Sequence, residues 1–360
     1  MSKPILAAML SCSGTKLTDE EKRFFEEYNP LGVSLFARNI KNVAQLKKLI
    51  QQIKEVINRD DVLIGIDEEG GRVSHLRGII KLKNIDSQFI AEEDLGKAAI
   101  KYTKLHAELI SSYMHQLGLN TNYAPVIDRK MKRQSAVLQS RCFSANPKII
   151  IKHARTMADT YINTGICPCI KHIPGHFDTI SDPHLELPMT DLAKSEVYKE
   201  IEYMKDFANY PLAMTSHIML KDFDNQYPVT MSKKCITEIL RNYLKLESLL
   251  ISDAIDMHAL KGSISERAEN CWNAGIDIVC YCSGKTEDIY NICQQKRFMT
   301  EKAQIRFAII KKIIHNIPKD INISEADRLY LQKFHKEMHK EYAYDATEVL
   351  NQMLAKGENI

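Results

Sequence analysis

The sequence lacks the features by which membrane, nucleic-acid-binding and disordered proteins are recognised. No apolar run approaches the roughly 20 residues that a helix needs to span a bilayer. The 49 basic and 46 acidic residues leave a formal net charge of only +3, without a long basic block. This charge gives no case for a nucleic acid or a membrane surface as a partner. The composition, 44% apolar and 26% charged, is that of an ordinary globular chain, and no internal repeat interrupts it.

The cysteines do not form a pattern typical of disulfide-stabilised proteins. There are nine, an odd number, scattered through 360 residues, so a reducing compartment is the simpler interpretation. Near the N-terminus, Lys3, the apolar run 5–10 and Cys12 weakly resemble a lipoprotein signal, but this run is too short for one. We expect it to form the first strand, and we expect the protein to be cytoplasmic.

Eight short runs are apolar or β-branched, and each ends at a polar residue or a turn. Most are apolar almost throughout, as are parallel strands buried on both faces. The predicted strands cover residues 4–10, 31–36, 62–67, 119–125, 167–172, 212–217, 248–253 and 276–282. Segments with helical spacing cover residues 19–28, 42–57, 91–117, 147–163, 192–208, 232–243 and 265–274.

This alternation predicts an α/β fold, namely a single-domain (β/α)₈ TIM-type barrel with additional C-terminal helices. A prior of about 150 residues per domain would allow two domains, but a barrel uses most of this length as one. We assign residues 1–316 to the catalytic barrel and 317–360 to a helical extension packed on it. Further helices are expected over 302–314 and 325–354. A doubly wound sheet is the alternative, although no G-x-G-x-x-G motif follows any strand.

Polar residues stand at the C-terminal ends of five predicted strands, where barrel enzymes carry their chemistry. They are Asp67, Asp128, Lys171 with His172, His217 and Asp253. Core packing alone does not explain so many polar strand ends. Asp253 could be a nucleophile that attacks a sugar carbon, or it could cap a helix that begins near Ala254.

The segment 171–184 is the richest in candidate catalytic residues, with three His, two Asp and one Lys. Pro174 and Gly175 favour a loop over the barrel mouth. In an extended segment, Asp182 and His184 would point the same way. The carboxylate would then fix the tautomer of the imidazole and leave its other nitrogen for proton transfer. A surface loop with incidental polar residues is the alternative.

Two Cys-x-Cys pairs lie in predicted strands, Cys167 with Cys169 and Cys280 with Cys282. The side chains of each pair would share one face, so either pair could bind a soft metal. Buried cysteines that fill a core are the favoured interpretation.

Together the motifs resemble the bacterial β-N-acetylhexosaminidases of glycoside hydrolase family 3, of the peptidoglycan-recycling type. The matching stretches occur in family order over roughly residues 5–284. They are 31–39 (LGVSLFARN), 66–73 (IDEEGGRV), 123–128 (YAPVID), 141–144 (RCFS), 171–176 (KHIPGH) with 178–179 (DT), 182–184 (DPH), 214–217 (MTSH), 227–232 (YPVTMS) and 252–257 (SDAIDM).

The resemblance implies a barrel and assigns roles to seven residues. Asp253 would be the nucleophile, and His184 held by Asp182 would be the acid/base. Asp67, Arg141, Lys171 and His172 would bind the sugar. The implied activity is retaining hydrolysis of terminal β-GlcNAc from GlcNAc–anhydroMurNAc muropeptides. No metal or organic cofactor is expected, and a small saccharide is the expected partner rather than a nucleic acid, a membrane or an obligate protein.

Besides a 128–130 segment (DRK) that is more basic than typical, the sequence departs from the family pattern at three places. Phe177 stands where Gly is usual, and Pro183 stands where Ser is common. The stretch 243–248 lacks the usual Gly-Phe-x-Gly. The first two departures bear on the turnover rate, and the third bears on a connection between elements.

Three other activities are compatible with these residues. A phosphorylase would use phosphate in place of water with the same His-Asp pair. A metal-dependent hydrolase would use His172, His176, His217 and Asp253 as ligands, although barrel hydrolases of that class usually carry His-x-His at the first strand. A non-catalytic relative would bind sugar without turnover.

Overall fold

The computed structural model describes residues 3–80, 91, 96–135, 138, 140–318, 324 and 329. Its centre is a closed barrel of eight strands, which confirms the predicted TIM-type fold. The strands are β1 (Leu6–Ser11), β2 (Pro30–Leu35), β3 (Leu63–Ile66), β4 (Thr121–Asn122), β5 (Cys167–Ile173), β6 (Leu212–Thr215), β7 (Leu249–Ala254) and β8 (Ile278–Cys280).

Each barrel strand pairs in parallel with the next along the chain, and the barrel closes between β1 and β8. In the closing pair, Ala8 lies opposite Val279, and Met9 lies opposite Cys280. Every residue of these strands is buried, because one face packs inside the barrel and the other packs under helices. Since all eight strands run the same way, their carboxyl ends meet at one mouth.

Helices cover the outside of the barrel. They are α1 (Asp19–Tyr28), α2 (Val43–Ile57), α3 (Gly96–Leu117), α4 (Pro147–Asn163), α5 (Lys194–Ile201), α6 (Lys233–Cys235), α7 (Ile264–Ala274), α8 (Thr286–Gln294) and α9 (Glu301–His315). The start of α1 is encoded locally. The Thr18 hydroxyl accepts a hydrogen bond from the Glu21 N–H, and the Glu21 carboxylate accepts one from the Thr18 N–H. This reciprocal pair is a capping box.

Shorter elements complete the described part of the chain. Two-stranded pairs join Glu68–Gly70 to Val73–Ser74 and Met189–Thr190 to Met219–Leu220. Ala37–Asn39, Glu202–Phe207 and Val229–Met231 are 3₁₀ turns, and Ile236–Tyr243 is π-helical. Among the described residues, no helix combines the length and the apolar character needed to cross a bilayer.

The inside of the barrel is filled by side chains from the strands. A Cβ added at Gly65 would lie 2.6 Å from the Tyr123 hydroxyl, which itself lies 2.5 Å from Ser34 Oγ. Glycine at position 65 therefore makes room for Tyr123. At the other end, Phe307 and Ile310 of α9 pack against this inner core. The Arg306 guanidinium pairs with Asp277, just before β8 begins, so α9 closes the end opposite the mouth.

Several predicted helices differ from the structure. The 192–208 segment is α-helical only to Ile201 and continues as a 3₁₀ turn, and the 232–243 segment is mostly π-helical. Apolar spacing indicates a helix but does not distinguish these hydrogen-bonding patterns, which differ by one residue per bond. Helix α8 was not predicted, because Lys285 at its N-cap provides no side-chain cap to mark the start.

The predicted helix over 325–354 and most of the extension over 317–360 lie outside the described residues. Both stay predictions.

Candidate active site

The mouth of the barrel holds a cavity of about 230 Å³. Six of the seven residues predicted for the site line it, namely Asp67, Arg141, Lys171, His172, His184 and Asp253. The seventh, Asp182, contacts His184. The fold thus brings together residues that are up to 186 positions apart, counted from 67 to 253.

Asp253 is the buried carboxylate at the end of β7. Its Oδ1 accepts a hydrogen bond from the Ala254 N–H at 2.8 Å, and its Oδ2 lies 3.8 Å from His172 Nε2. Burial opposes ionisation of Asp253, but the imidazoles of His172 and His217 outweigh it and lower its pKa to about 2. Asp253 is therefore an anion at neutral pH.

The alternative role of Asp253 as a helix cap is wrong. Strand β7 continues to Ala254, and the next helix, α7, begins only at Ile264. That helix is capped by Ser263, whose hydroxyl accepts from the Glu266 N–H.

His184 and Asp182 form a close pair on the loop after β5. Asp182 Oδ1 accepts from His184 Nδ1 at 2.7 Å and from the His184 N–H at 2.9 Å. The expectation of an extended segment is wrong, because the Asp182 carbonyl accepts from the N–H groups of Leu185 and Glu186 in a turn. The turn, rather than strand alternation, brings the two side chains together.

The electrostatics of this pair suit proton transfer. Burial opposes ionisation of Asp182, but the hydrogen bond and charge of His184 outweigh it and lower its pKa. Since Nδ1 is held by the carboxylate, Nε2 is the nitrogen left for exchange with a ligand. The loop is also tied to the segment after β7, because the Ala259 N–H donates to the Pro183 carbonyl at 3.2 Å.

A network of four charges forms one wall of the cavity. Arg141 binds Glu69 through two hydrogen bonds of 2.8 Å each. Lys171 Nζ lies 2.5 Å from both Glu69 Oε1 and Asp67 Oδ1. Burial opposes ionisation of Glu69, but Arg141 and Lys171 lower its pKa to about 2. Glu69 was not predicted as a site residue, although it stands beside the paired glycines after β3.

Asp128 orients two imidazoles at once. Its Oδ2 lies 2.7 Å from His172 Nδ1, and its Oδ1 lies 2.9 Å from His176 Nδ1. Each oxygen also accepts the backbone N–H of the same histidine. Asp128 was noticed as a strand end, but its role depends on a loop geometry that the sequence does not show.

The metal-dependent alternative fits this geometry poorly. Both ring nitrogens of His217 are occupied, with Nδ1 at 2.9 Å from Thr230 Oγ1 and Nε2 at 3.0 Å from the Ala254 carbonyl oxygen. Asp128, His172 and His176 do place possible ligand atoms within 4.8 Å of one another. The Nδ1 atoms of both histidines are hydrogen-bonded to Asp128.

Two of the departures from the family pattern coincide with left-handed backbone. Phe177 has a φ of 52° and Lys245 has a φ of 57°, in the region that favours glycine. Phe177 is buried, whereas Lys245 is exposed. The chain thus keeps the backbone conformation that glycine favours, at positions where it carries a side chain.

Comparisons with known proteins identify a matching family and similar proteins. Residues 6–311 match the model of the glycosyl hydrolase family 3 N-terminal domain. A β-hexosaminidase of Bordetella avium is 30% identical over 287 residues, which cover 76% of this chain and 80% of the relative. One from Haemophilus influenzae is 26% identical over 321 residues, which cover 85% of this chain and 90% of the relative.

Solved structures share the fold. NagZ from Neisseria gonorrhoeae, in complex with N-trifluoroacetyl-D-glucosamine, superposes with a TM-score of 0.80 at 22% identity, over 93% of this chain and 99% of that one. A family 3 β-N-acetylglucosaminidase from a Paenibacillus strain gives a TM-score of 0.80 at 20% identity, over 95% and 70% of the two chains.

Proposed function

Because the chain belongs to glycosyl hydrolase family 3 and is a β-N-acetylhexosaminidase of that family, we propose that it removes terminal β-linked N-acetylglucosamine with retention of configuration. Asp253 forms a covalent glycosyl-enzyme, and His184 with Asp182 transfers the proton. The site is proposed to take a small saccharide, with a muropeptide of the GlcNAc–anhydroMurNAc type as the natural substrate.

The first step joins Asp253 to the sugar. Its carboxylate, with a pKa of about 2, attacks the anomeric carbon, and the glycosidic bond breaks. Protonated His184 donates its Nε2 proton to the leaving oxygen, so that the aglycone departs as an alcohol. Asp182 holds this imidazole through the 2.7 Å contact at Nδ1.

The second step releases the sugar. Neutral His184 takes a proton from water, the water oxygen attacks the anomeric carbon, and the bond to Asp253 breaks. Two displacements on opposite faces retain the configuration. Most retaining glycosidases use a second carboxyl group for this proton transfer, whereas here the transfer falls to an imidazole.

The charged wall would hold the sugar. Asp67 and Lys171 offer an acceptor and donors for ring hydroxyls, while Glu69 fixes Arg141 and Lys171 in place. His172, held by Asp128, presents Nε2 to the same cavity. These directed polar groups would orient one sugar ring over Asp253.

One observation carries the proposal. A histidine held by a carboxylate lines the same cavity as an ionised aspartate at the end of a barrel strand. The muropeptide substrate rests on the family resemblance. A cytoplasmic location is part of the proposal, and it is supported by nine cysteines that are all free thiols.

The test is release of 4-nitrophenol from its β-GlcNAc glycoside, in excess chelator, by the wild type and by Asp253→Asn. We expect cleavage by the wild type, a loss of about 10³-fold or more in the variant, and little cleavage of the β-glucoside. NMR of the first product should show the β-anomer. An α-anomer would contradict retention, and activity lost to the chelator would favour a metal-dependent hydrolase.

The phosphorylase is the second candidate, because it would use the same residues. Added phosphate would then raise turnover and yield GlcNAc-1-phosphate. Free GlcNAc as the product at every phosphate concentration would support the hydrolase.

A further inference from the structure

Two thiols at the end of β8 take no part in the proposed chemistry. Cys280 ends the strand, and Cys282 follows two residues later. Both line the same cavity as Asp253. Their Sγ atoms lie 3.6 Å apart. Cys280 is 1% exposed and Cys282 is half-buried, so the pair is reached through the cavity.

The separation of the sulfurs fits a shared ion better than a disulfide. An S–S bond is about 2.05 Å long, so a disulfide would require the two sulfurs to move closer together. Two thiolates on a tetrahedral ion, with metal–sulfur bonds of about 2.3 Å, lie about 3.8 Å apart. The observed 3.6 Å is close to this separation.

The surroundings also favour a cation. Asp256 Oδ1 accepts the Cys282 N–H at 2.9 Å, which places a buried carboxylate beside the pair. Asp67 and Tyr123 line the same cavity. The cations there include Arg38, Lys171 and Lys285. The Arg38 guanidinium is directed at the carbonyl oxygens of Cys12 and Cys282, and Lys171 binds Asp67 and Glu69.

From this geometry we infer that Cys280 and Cys282 form a binding site for a soft, thiophilic divalent cation inside the sugar cavity, and that the bound ion blocks the substrate. Thiolates are the ligands that soft metals prefer. Binding replaces two S–H bonds with two metal–sulfur bonds and releases up to two protons to solvent. The binding claim stands alone, whereas the blocking claim rests on the proposed function.

The direct test is titration of the full, reduced protein with Cd²⁺, followed by the ultraviolet absorption that arises only from thiolate–cadmium bonds. We expect the wild type to bind one ion per chain. Cys280→Ala and Cys282→Ala should each bind Cd²⁺ at least 10-fold more weakly and show a smaller absorption. Cys169→Ala is the matched control, because Cys169 belongs to the other Cys-x-Cys pair and is fully buried on β5. Wild-type affinity and absorption in both β8 variants would overturn the site.

A second measurement needs no variant. Cd²⁺ should slow the alkylation of Cys282 by iodoacetamide, as followed by mass spectrometry of the peptide that contains it. An unchanged rate at saturating Cd²⁺ would contradict the site even if the variants failed to fold.

The blocking claim is tested by inhibition of 4-nitrophenyl β-GlcNAc cleavage. We expect Cd²⁺ to raise KM and a dithiol chelator to reverse the effect. If the thiolate–cadmium absorption saturates while the kinetics of cleavage stay unchanged, the blocking claim is overturned and the ion site stays intact. If the absorption saturates but the protein never cleaves this substrate, the proposed function is contradicted instead.

Discussion

At the scale of single residues, the four charges of the cavity wall cancel. Asp67 and Glu69 carry two negative charges, and Arg141 and Lys171 carry two positive ones, all within the hydrogen bonds of one network. An uncharged sugar can therefore bind to the donors and acceptors of this wall without the desolvation of a net charge there. Glu69 is central to this balance, because it contacts both cations.

Removing the charge of Glu69 should destabilise the protein. Glu69→Gln leaves two buried cations with one anion, so we expect a loss of about 3–5 kcal/mol in the free energy of unfolding at pH 7. The measurement is urea denaturation, with Glu269→Gln, an exposed change on α7, as the control. An equal, small effect of both substitutions would show that the network contributes little.

The same carboxylate predicts how stability depends on pH. Its pKa is lowered from 4.5 to about 2 in the folded protein. A carboxyl group whose pKa is lowered by folding contributes its full stabilisation above its unfolded-state pKa. This contribution is lost as the pH falls toward its folded-state pKa. The wild type should lose stability between about pH 4.5 and 2 more steeply than Glu69→Gln. Parallel curves from denaturation at each pH would contradict this assignment.

The role of His184 can be separated from binding by the leaving group. In His184→Ala we expect kcat/KM for a GlcNAc disaccharide to fall about 10²–10⁴-fold, because its alcohol must be protonated to leave. The fall should be much smaller for the 2,4-dinitrophenyl glycoside, whose leaving group needs no proton. His315→Ala, on half-exposed His315 of α9, is the control. Equal losses on both substrates would place His184 in binding.

At the scale of elements, the apolar runs predicted all eight strands, because a parallel strand buried on both faces has almost no polar positions. The 3₁₀ turn after α5 and the π-helix over Ile236–Tyr243 could not be predicted, since side-chain spacing does not determine which carbonyl each N–H selects. The turn that joins Asp182 to His184 was missed for the same reason.

The connection before β7 offers a test at this scale. Lys245 is exposed and has a φ of 57°, which costs a residue with a Cβ roughly 1 kcal/mol or more. Lys245→Gly removes that cost but adds unfolded-chain entropy, so we expect a gain of about 0.5 kcal/mol. The control is Lys233→Gly, at an exposed position in the first turn of α6. This substitution should instead destabilise the protein. Destabilisation by Lys245→Gly in urea would mean that the lysine side chain contributes a contact that offsets the strain.

At the scale of the whole molecule, the barrel separates chemistry from stability. The order of the strands and the meeting of Asp67, Lys171 and Asp253 at one mouth followed from the alternating pattern, because the barrel topology leaves a single end for all carboxyl termini. The bridging role of Glu69 did not follow, since it depends on the path of a loop. Apart from the charged wall, where Glu69 also stabilises the fold, cavity residues should govern activity, and residues at the α9 end should govern stability.

This separation predicts opposite outcomes for substitutions on one helix and in the cavity. Phe307 of α9 is 2% exposed in the inner core, so Phe307→Ala should cost about 3–5 kcal/mol and lower Tm, while kcat well below Tm stays near that of the wild type. Ile305, on the same helix but 70% exposed, provides the matched control, and Ile305→Ala should change stability by less than about 0.5 kcal/mol. Asp253→Asn should do the reverse of Phe307→Ala, abolishing turnover with little loss of Tm. A Phe307→Ala enzyme that keeps its Tm but loses kcat would mean that the closed end of the barrel is coupled to the mouth.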